Sequence, residues 1–393
     1  MFALAGVRDN LIAESGTVGF VERNSREAMS IFTPFKFRYD LWRDCAPTRA
    51  TYGVRYSEQL PDALHLFRLN QLEPYEYNDN HLSDPKLSLA EKEKFLSYNQ
   101  ACIMNSTLNP MPSRGVLQKF VFSQFMGTFE IPTPRNFGYF DPEFGYTPER
   151  EPFRSVEDLK RVINRHNLEE FVLKPAGGAK GTGITVIVAR RGDKFVSGEE
   201  REYDFQGIHE LMMEHFRSGL PHHREGVLLQ ERIVQHPQLA GIHPYCTNTI
   251  RVMTFLNSSG EVEVLGCIIK FGRGKTMVDN VDKGAIMCNI DSSGTIGPLV
   301  INSPAKIEYL PNHPDSGAQV AGVKLPFYDE AIATARAAQM RLPQLRTLGF
   351  DIAITPAGPV IIEGNAWWGI LPQVIARRGF ITDGVRRELK RIM

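Results

Sequence analysis

The chain has 393 residues, 42% of them hydrophobic and 23% charged, which is an ordinary composition for a folded protein. One hydrophobic core seldom extends beyond about 250–300 residues, so two or three coupled domains are expected. The 45 basic and 45 acidic residues cancel, which argues against a main role in binding nucleic acid or anionic lipid.

The sequence predicts neither a secretory signal nor a cysteine pattern that would form disulfides or bind zinc. No stretch approaches the ~20 apolar residues of a membrane span, and the N-terminal apolar run stops at Arg8 and Asp9, so no secretory signal is expected. The five cysteines contain no C-x-x-C pair, and no H-E-x-x-H motif is present. We therefore expect a cytoplasmic protein with reduced thiols, no disulfide framework and no zinc site built on cysteines.

The first 130 residues predict a mainly helical or mixed region. The segment 75–80 is rich in polar turn formers and predicts an irregular connection. A capping-box pattern begins at Ser88 and predicts a helix that continues to Ile103, and another helix is predicted from about Ser113. Pro132 ends the helical pattern.

The rest of the chain alternates between strand groups and isolated helices. Helices are predicted at 155–166, 206–217 and 329–342, and strands at 171–174, 184–188, 227–230, 249–255, 262–271 and 360–363. Because the helices lie between groups of antiparallel strands and do not alternate strictly with parallel ones, we predict an α+β fold.

A glycine-rich segment at 175–183 is the strongest local signal. Glycines let backbone N–H groups approach a phosphate chain without interference from Cβ atoms. A Walker loop and a Rossmann turn both require a helix to follow, whereas a strand follows here. The remaining interpretations are a hairpin lid over nucleotide phosphates, with Lys174 on the incoming strand, and a flexible hairpin that binds no ligand.

Three oxygen-bearing side chains near the C-terminus suggest a metal site. Asp351 lies in an apolar strand, and Glu363 and Asn365 lie two residues apart in the next strand, after a turn at 356–358. An antiparallel hairpin would bring Asp351 close to Glu363, and alternation would put Glu363 and Asn365 on one face. Such a set suits Mg²⁺, which takes few protein carboxylates together with phosphates and water. The alternative is a structural carboxylate paired with a neighbouring cation.

These motifs together resemble the ATP-grasp superfamily over roughly residue 113 to the end. The resemblance rests on Lys174-Pro with its glycine loop, the segment 229–233, the segment 248–251 and the final Asp351 to Asn365 pattern. It is nearest to the sugar-transfer-associated or α-L-glutamate-ligase-related branch. It implies two α+β subdomains that clasp ATP: a central one at 113–232 with the glycine lid and a C-terminal one at 233–393 with the metal site. Residues 1–112 would form an N-terminal α/β or mostly helical region that carries much of the substrate specificity.

The resemblance also implies roles for individual residues. Lys119 and Lys174 would bind phosphates. The other nucleotide contacts would come from the lid and from the connection between the subdomains: Gly177, Gly178, Lys180, Gly181, Gln230, Glu231, Arg232 and Ile233. Three basic residues would surround the γ-phosphate and the acyl phosphate: Arg251, Lys270 and Lys283. Asp351, Glu363 and Asn365 would hold Mg²⁺.

The function implied is that of an ATP-dependent ligase, with ATP and Mg²⁺ as cofactors. ATP would phosphorylate a small-molecule carboxylate, and an amine (or thiol) would displace phosphate from the acyl phosphate. The alternatives are a small-molecule kinase that phosphorylates a hydroxyl on the same fold, and a nucleotide-binding scaffold without catalysis. No nucleic-acid or membrane partner is expected. The basic C-terminal helix, with arginines at 377, 378, 386 and 387, predicts a solvated face or the contact of a homodimer.

Overall fold

A computed structural model describes residues 34–177, 182–217, 225–303 and 305–393. The chain divides into two compact units. The first contains the residues up to Glu93 together with Ser303–Lys306, and the second contains Lys94–Asn302 and Ile307–Met393. The subdomain limits predicted at residues 112 and 232 stay predictions.

The first unit is helical in its described part. Its helices are α1 (Pro34–Asp44), α2 (Ala46–Tyr52), α3 (Tyr56–Asn70), α4 (Pro74–Asp79) and α5 (Leu89–Lys92). The prediction of an irregular connection at 75–80 is wrong, because α4 occupies it. Pro74 stands at the start of α4, where its missing N–H costs nothing. The Glu76 carboxylate accepts a hydrogen bond from the Glu73 N–H at 2.9 Å, which satisfies a backbone donor at the helix start.

The second unit contains the remaining described helices and all the strands of the two described sheets. Its helices are α6 (Tyr98–Leu108), α7 (Lys119–Gly127), α8 (Val156–Arg165), α9 (Phe205–Arg217), α10 (Pro237–Ile242), α11 (Tyr328–Met340), α12 (Leu371–Ala376) and α13 (Asp383–Ile392). Short 3₁₀ turns lie at Met111–Leu117 and Val281–Lys283.

Two helices predicted as continuous are interrupted. The helix that begins after Ser88 ends at Lys92, and α6 begins separately after Ser97, whose hydroxyl accepts from the Gln100 N–H at 3.2 Å. The helix expected from Ser113 is a 3₁₀ turn followed by α7. At the junction the extended Gln118 uses its side-chain oxygen to accept from the N–H groups of the first turn. Each break is set by a side chain that competes for orphan backbone donors.

The first sheet has six antiparallel strands in the order β1-β6-β2-β3-β4-β5. The strands are β1 (Asn136–Phe140), β2 (Phe171–Pro175), β3 (Thr185–Arg191), β4 (Lys194–Ser197), β5 (Glu202–Tyr203) and β6 (Val227–Gln230). Apolar faces of α8 and α9 join its core, which includes Phe171, Phe195 and Met212. In this sheet β2 and β3 are neighbouring strands, and they lie directly before and after the glycine-rich segment.

The second sheet has seven antiparallel strands in the order β11-β10-β9-β8-β7-β12-β13. The strands are β7 (Thr249–Leu256), β8 (Val262–Phe271), β9 (Ile286–Asn289), β10 (Leu299–Asn302), β11 (Ile307–Leu310), β12 (Thr347–Thr355) and β13 (Gly358–Asn365). Small residues of α11, Ala331, Ala335 and Ala338, pack on its apolar face. The helical first part and the antiparallel sheets confirm the predicted α+β class. None of the helices in the described ranges has the length and apolar character that a membrane crossing requires.

Candidate active site

Three charged residues form a row across neighbouring strands of the seven-stranded sheet. Asp351 on β12 stands opposite Arg251 on β7 and opposite Glu363 on β13. Residues directly opposite one another in antiparallel strands project to the same face. Asn365 follows Glu363 by two positions and therefore extends the row on that face. The tight turn at 355–358 sets the pairing as far as Ile352, and a one-residue shift between Asp351 and Ile352 then places Asp351 opposite Glu363. The proximity of Asp351 and Glu363 expected from the sequence is observed.

Asp351 is the buried centre of this row. The Arg251 guanidinium donates from Nε to one carboxylate oxygen at 2.7 Å and from Nη2 to the other at 2.6 Å, and Lys270 Nζ lies 3.3 Å from the second oxygen. Burial alone would raise the pKa of Asp351, but the charges and hydrogen bonds of Arg251 and Lys270 outweigh burial and hold that pKa well below its usual value. Asp351 is therefore ionised, and its carboxylate oxygens accept hydrogen bonds from two cationic side chains.

A second carboxylate, which the sequence interpretation assigned no role, completes the surroundings of Lys270. Asp279 lies 3.7 Å from Lys270 Nζ, and its carboxylate accepts from the backbone N–H of Thr249 at 2.9 Å and from the Thr249 hydroxyl. Burial raises the pKa of Asp279, partly opposed by Lys270 and by Thr249. The sequence feature that could have identified Asp279 is its position in the loop between two basic residues, Lys270 and Lys283.

The two predicted phosphate lysines lie beside Glu363. Lys119 is the first residue of α7; its Nζ is 3.6 Å from Glu363 Oε2, and its backbone N–H donates to the Ala176 carbonyl at 3.2 Å. Burial, and to a smaller extent the charge of Lys119, lower the pKa of Lys174 to about 8, with Glu363 partly opposing both. Lys174 is thus a buried ammonium group whose positive charge is only partly balanced by Glu363.

The close approach of α7 to β13 depends on a glycine between the two candidate metal ligands. Gly364 points away from the charged row, and a Cβ there would lie 3.2 Å from the ring of Phe122 in α7. That distance is tighter than ordinary side-chain contacts, so a larger residue would push α7 outward. Gly364 therefore helps to hold Lys119 near Glu363.

A cavity of about 600 Å³ opens at this place. Its lining includes Lys119, Gly177 and Asn365, together with Arg114, whose guanidinium donates to the backbone carbonyl of Asn109 at 2.8 Å. Small-molecule sites typically occupy about 300–1,000 Å³. The cavity is therefore large enough for a polyphosphate with part of a second substrate.

The four residues predicted to contact the nucleotide from the connection between the subdomains differ in their environments. Gln230 is buried, and its amide donates to Asn136 Oδ1 at 2.8 Å. Glu231 is exposed and exchanges hydrogen bonds with the backbone of Arg135. Arg232 pairs with Glu170 at 2.6 Å, and Ile233 is half-buried in the segment that follows β6.

Some predicted residues are not brought into the charged row. Lys283 ends the 3₁₀ turn Val281–Lys283 and is exposed, with no ion pair among the residues that the structure describes. The predicted lid residues Gly178, Lys180 and Gly181 lie outside the described residues. Gly183, at the far end of the same segment, has φ +74°, which favours glycine, and a Cβ there would lie 2.5 Å from the His215 ring.

The oxygen donors fit Mg²⁺ to different degrees. The Glu363 carboxylate is 27% exposed, and Asn365 donates its amide N–H to Glu363 at 3.4 Å, which leaves the amide oxygen available. Asp351 already accepts three hydrogen bonds, so a metal ion there would share the carboxylate with Arg251 and Lys270. Glu363 and Asn365 are accordingly the better-suited ligands.

Comparison with known proteins gives one family match. A sequence model described as sugar-transfer associated ATP-grasp matches residues 105–389. No curated protein matches the chain.

Solved structures with a similar fold share little sequence with this chain. The ATP-grasp ligase PsnB is 14% identical, with a TM-score of 0.38 over 73% of this chain and 64% of PsnB. Biotin carboxylase from Campylobacter jejuni is 13% identical, with a TM-score of 0.43 over 71% of this chain and 47% of that protein. D-alanine–D-alanine ligase from Bacillus anthracis is 13% identical, with a TM-score of 0.40 over 77% and 76%. The match thus spans less than two thirds of the length of PsnB and of biotin carboxylase.

Proposed function

Because the chain belongs to the sugar-transfer-associated ATP-grasp family, we propose that it is an ATP-dependent ligase that joins a carboxylate to an amine or a thiol through an acyl phosphate. The family match confirms the ATP-grasp superfamily and fold that the sequence motifs predict.

One observation carries the proposal: basic and acidic side chains of the seven-stranded sheet meet others from β2, from α7 and from the loop after β8, beside the 600 Å³ cavity. Four cations and three carboxylates make up this set, which has one more positive than negative charge: Lys119, Lys174, Arg251, Lys270, Asp279, Asp351 and Glu363. A carboxylate that attacks ATP brings two anions together, so the site must supply positive charge at fixed positions. A buried excess of cations is the property that this reaction needs.

In the proposed first step, an oxygen of the substrate carboxylate attacks the γ-phosphorus of ATP. The bond from that phosphorus to the β–γ bridging oxygen breaks, and ADP leaves with the electron pair. Lys119 and Lys174 would bind the phosphates, and Arg251 and Lys270 would stabilise the charge that develops on the transferred group.

In the second step, the amine nitrogen attacks the acyl carbon. The bond from that carbon to the phosphate oxygen breaks, inorganic phosphate leaves, and the nitrogen gives up a proton. Glu363 and Asn365, with a share of Asp351, would hold Mg²⁺, which when bound would neutralise phosphate charge.

The substrates are proposed to be small molecules, and no nucleic-acid or membrane partner is proposed. All five cysteines are free thiols, which supports a reducing compartment, and we place the protein in the cytoplasm. A homodimer through the basic C-terminal helix α13 stays a proposal to be measured by light scattering.

The test is a screen of carboxylates and amines for ATP-dependent phosphate release by the purified full chain. A ligase releases phosphate only when both substrates are present and forms the joined product, which mass spectrometry identifies. A kinase would instead leave a stable phosphomonoester, and that result would overturn the ligase proposal in favour of the alternative.

Lys270→Met provides the matched test of the site. Loss of one well-placed electrostatic group typically lowers the rate on the order of 10²–10³-fold. Lys194→Met removes a lysine that is exposed on β4 and paired with Glu202, and should leave turnover unchanged. Equal turnover of the two variants, with both folded by thermal melting, would place the chemistry elsewhere.

A further inference from the structure

A group of metal-ligating side chains lies outside the charged row. His243 follows α10, and His313 and Asp315 lie in the loop after β11. One nitrogen of each histidine and one carboxylate oxygen lie within 4.8 Å of one another. Two donors of one tetrahedral zinc ion stand about 3.3–3.6 Å apart when each bond is about 2.0–2.2 Å. Side-chain rotations that shorten the donor separations by up to about 1.5 Å would therefore bring all three donors to one ion.

The hydrogen bonds of His313 leave one of its nitrogens suited to a metal. The ring is fully buried, and its Nε2 lies 2.9 Å from the Gly272 carbonyl oxygen, which can only accept. Nε2 therefore carries the proton, and Nδ1 bears the lone pair. That lone pair accepts a 3.3 Å hydrogen bond from the Asp315 N–H, which a bound metal ion would displace. A histidine whose second nitrogen donates to a carbonyl is the usual arrangement for a metal ligand.

His243 has a buried nitrogen that no protein group satisfies. The residue is 2% exposed, and its Nε2 has no hydrogen-bond partner among the described residues. Gly272 keeps this nitrogen uncovered, because a Cβ there would lie 2.7 Å from Nε2. A buried polar atom without a partner destabilises the folded protein, and a bound metal ion would satisfy it.

Asp315 supplies the charged donor and the route from solvent. Its side chain is 32% exposed, and its carboxylate accepts from Arg273 Nε at 2.9 Å and from the Gly274 N–H at 2.7 Å. These two hydrogen bonds fix the orientation of the Asp315 carboxylate, as the hydrogen-bond partners of metal ligands commonly do. The Arg273 charge opposes a cation, so the two histidines must supply most of the affinity.

From these contacts we propose that His243, His313 and Asp315 bind one divalent transition-metal ion, zinc by the nature of its donors, with water in the open position. The site is separate from the residues of the ATP proposal, and either can fail without the other. It differs from the zinc sites considered from sequence motifs, since its histidines are 70 positions apart in the chain.

The experiment titrates the metal-stripped full chain with Co²⁺ and Zn²⁺ in excess Mg²⁺, which occupies sites of oxygen donors. The wild type should bind one Co²⁺ with visible absorption bands, and Zn²⁺ should displace it. The test variant is His243→Phe, which keeps a ring of similar size and removes the donor. It should weaken binding beyond the ~10–100-fold that loss of an outer partner costs, whereas His65→Phe, at an exposed histidine of the other unit, should not.

Stability gives a second measurement on the same samples. Without metal, His243→Phe should melt no lower than the wild type, because it removes an orphaned buried nitrogen. Zn²⁺ should raise the melting temperature of the wild type and of His65→Phe but not of His243→Phe. If the wild type binds neither ion, or if His243→Phe binds as tightly as His65→Phe, the proposal is wrong.

Discussion

Lys174 offers the most quantitative test of nucleotide binding at this site. Its pKa is lowered to about 8 by burial and by the Lys119 charge, from an ordinary value of 10.5. Phosphates bound next to Lys174 would favour the charged amine and return its pKa toward the ordinary value. We therefore expect nucleotide affinity to fall as pH rises above about 8, because the free protein then loses a proton that the complex retains.

The size of the effect follows from the two pKa values. If binding restores a pKa of 10.5, affinity should weaken about 30-fold between about pH 7 and about pH 9.5, and binding at about pH 8.5 should take up about three quarters of a proton. The free protein has the opposite dependence. The unfolded lysine binds its proton more tightly than the folded one, so stability without nucleotide should rise between about pH 8 and pH 10.5.

Calorimetric titration with a non-hydrolysable ATP analogue and Mg²⁺, in two buffers of different ionisation enthalpy, measures both affinity and proton uptake. Lys174→Arg is the matched variant, since arginine stays charged at these pH values and should remove both the uptake and the pH dependence. A second variant, Lys174→Met, should bind weakly at every pH. Nucleotide affinity that is constant from about pH 7 to about pH 9.5 in the wild type would refute the reasoning.

Two further substitutions separate chemistry from stability. Glu363→Ala should lower Mg²⁺-dependent turnover on the order of 10²–10³-fold with little change in melting temperature; a destabilised but fully active variant would contradict the role in metal binding. Gln373→Leu should do the reverse, since this buried side chain bonds the backbone of Leu96 and the N–H of Phe380. Chemical denaturation should show a loss of about 1–3 kcal/mol for each group left unsatisfied, with turnover per folded molecule unchanged; an unaffected stability would show that water replaces the amide.

Local patterns predicted the part of the site that local geometry determines. The β-branched run at 184–188 lies at the start of β3, and the short turn at 356–358 brings Asp351 close to Glu363. Both depend on residues within about fifteen positions of each other, where alternation and turn length restrict the pairing. The one-residue shift between Asp351 and Ile352, which makes Asp351 and Glu363 direct partners, is not predicted by either pattern. The family assignment is confirmed for the same reason, because its motifs are compact segments.

The partners of the same residues could not be predicted. Arg251 and Asp351 are 100 positions apart, and Asp279 reaches Thr249 across 30. Such contacts depend on which strands become neighbours in the sheet, and strand order is not encoded in the pattern of either strand. The sequence therefore indicated which side chains are basic or acidic but not that two cations share one aspartate.

That sharing explains how the site can exist before a substrate binds. Arg251 and Lys270 are both turned toward Asp351, and removing one member of a buried ion pair typically costs about 3–5 kcal/mol. Without Asp351, the free protein would bury two cations that only the more distant Glu363 and Asp279, among the described residues, would oppose. Phosphate oxygens that enter the site must compete with the Asp351 carboxylate for hydrogen bonds from Arg251 and Lys270. The favourable interaction with phosphate is therefore partly offset by the loss of the contacts to Asp351. This exchange of partners lowers the activation barrier under two conditions. In the transition state, the transferred phosphoryl group must bind Arg251 and Lys270 more strongly than Asp351 does, and in the ground state the phosphates must bind them less strongly than Asp351 does. Asp351 would then weaken ground-state binding and leave the strongest electrostatic contacts for the step in which charge moves between the nucleotide and the substrate carboxylate.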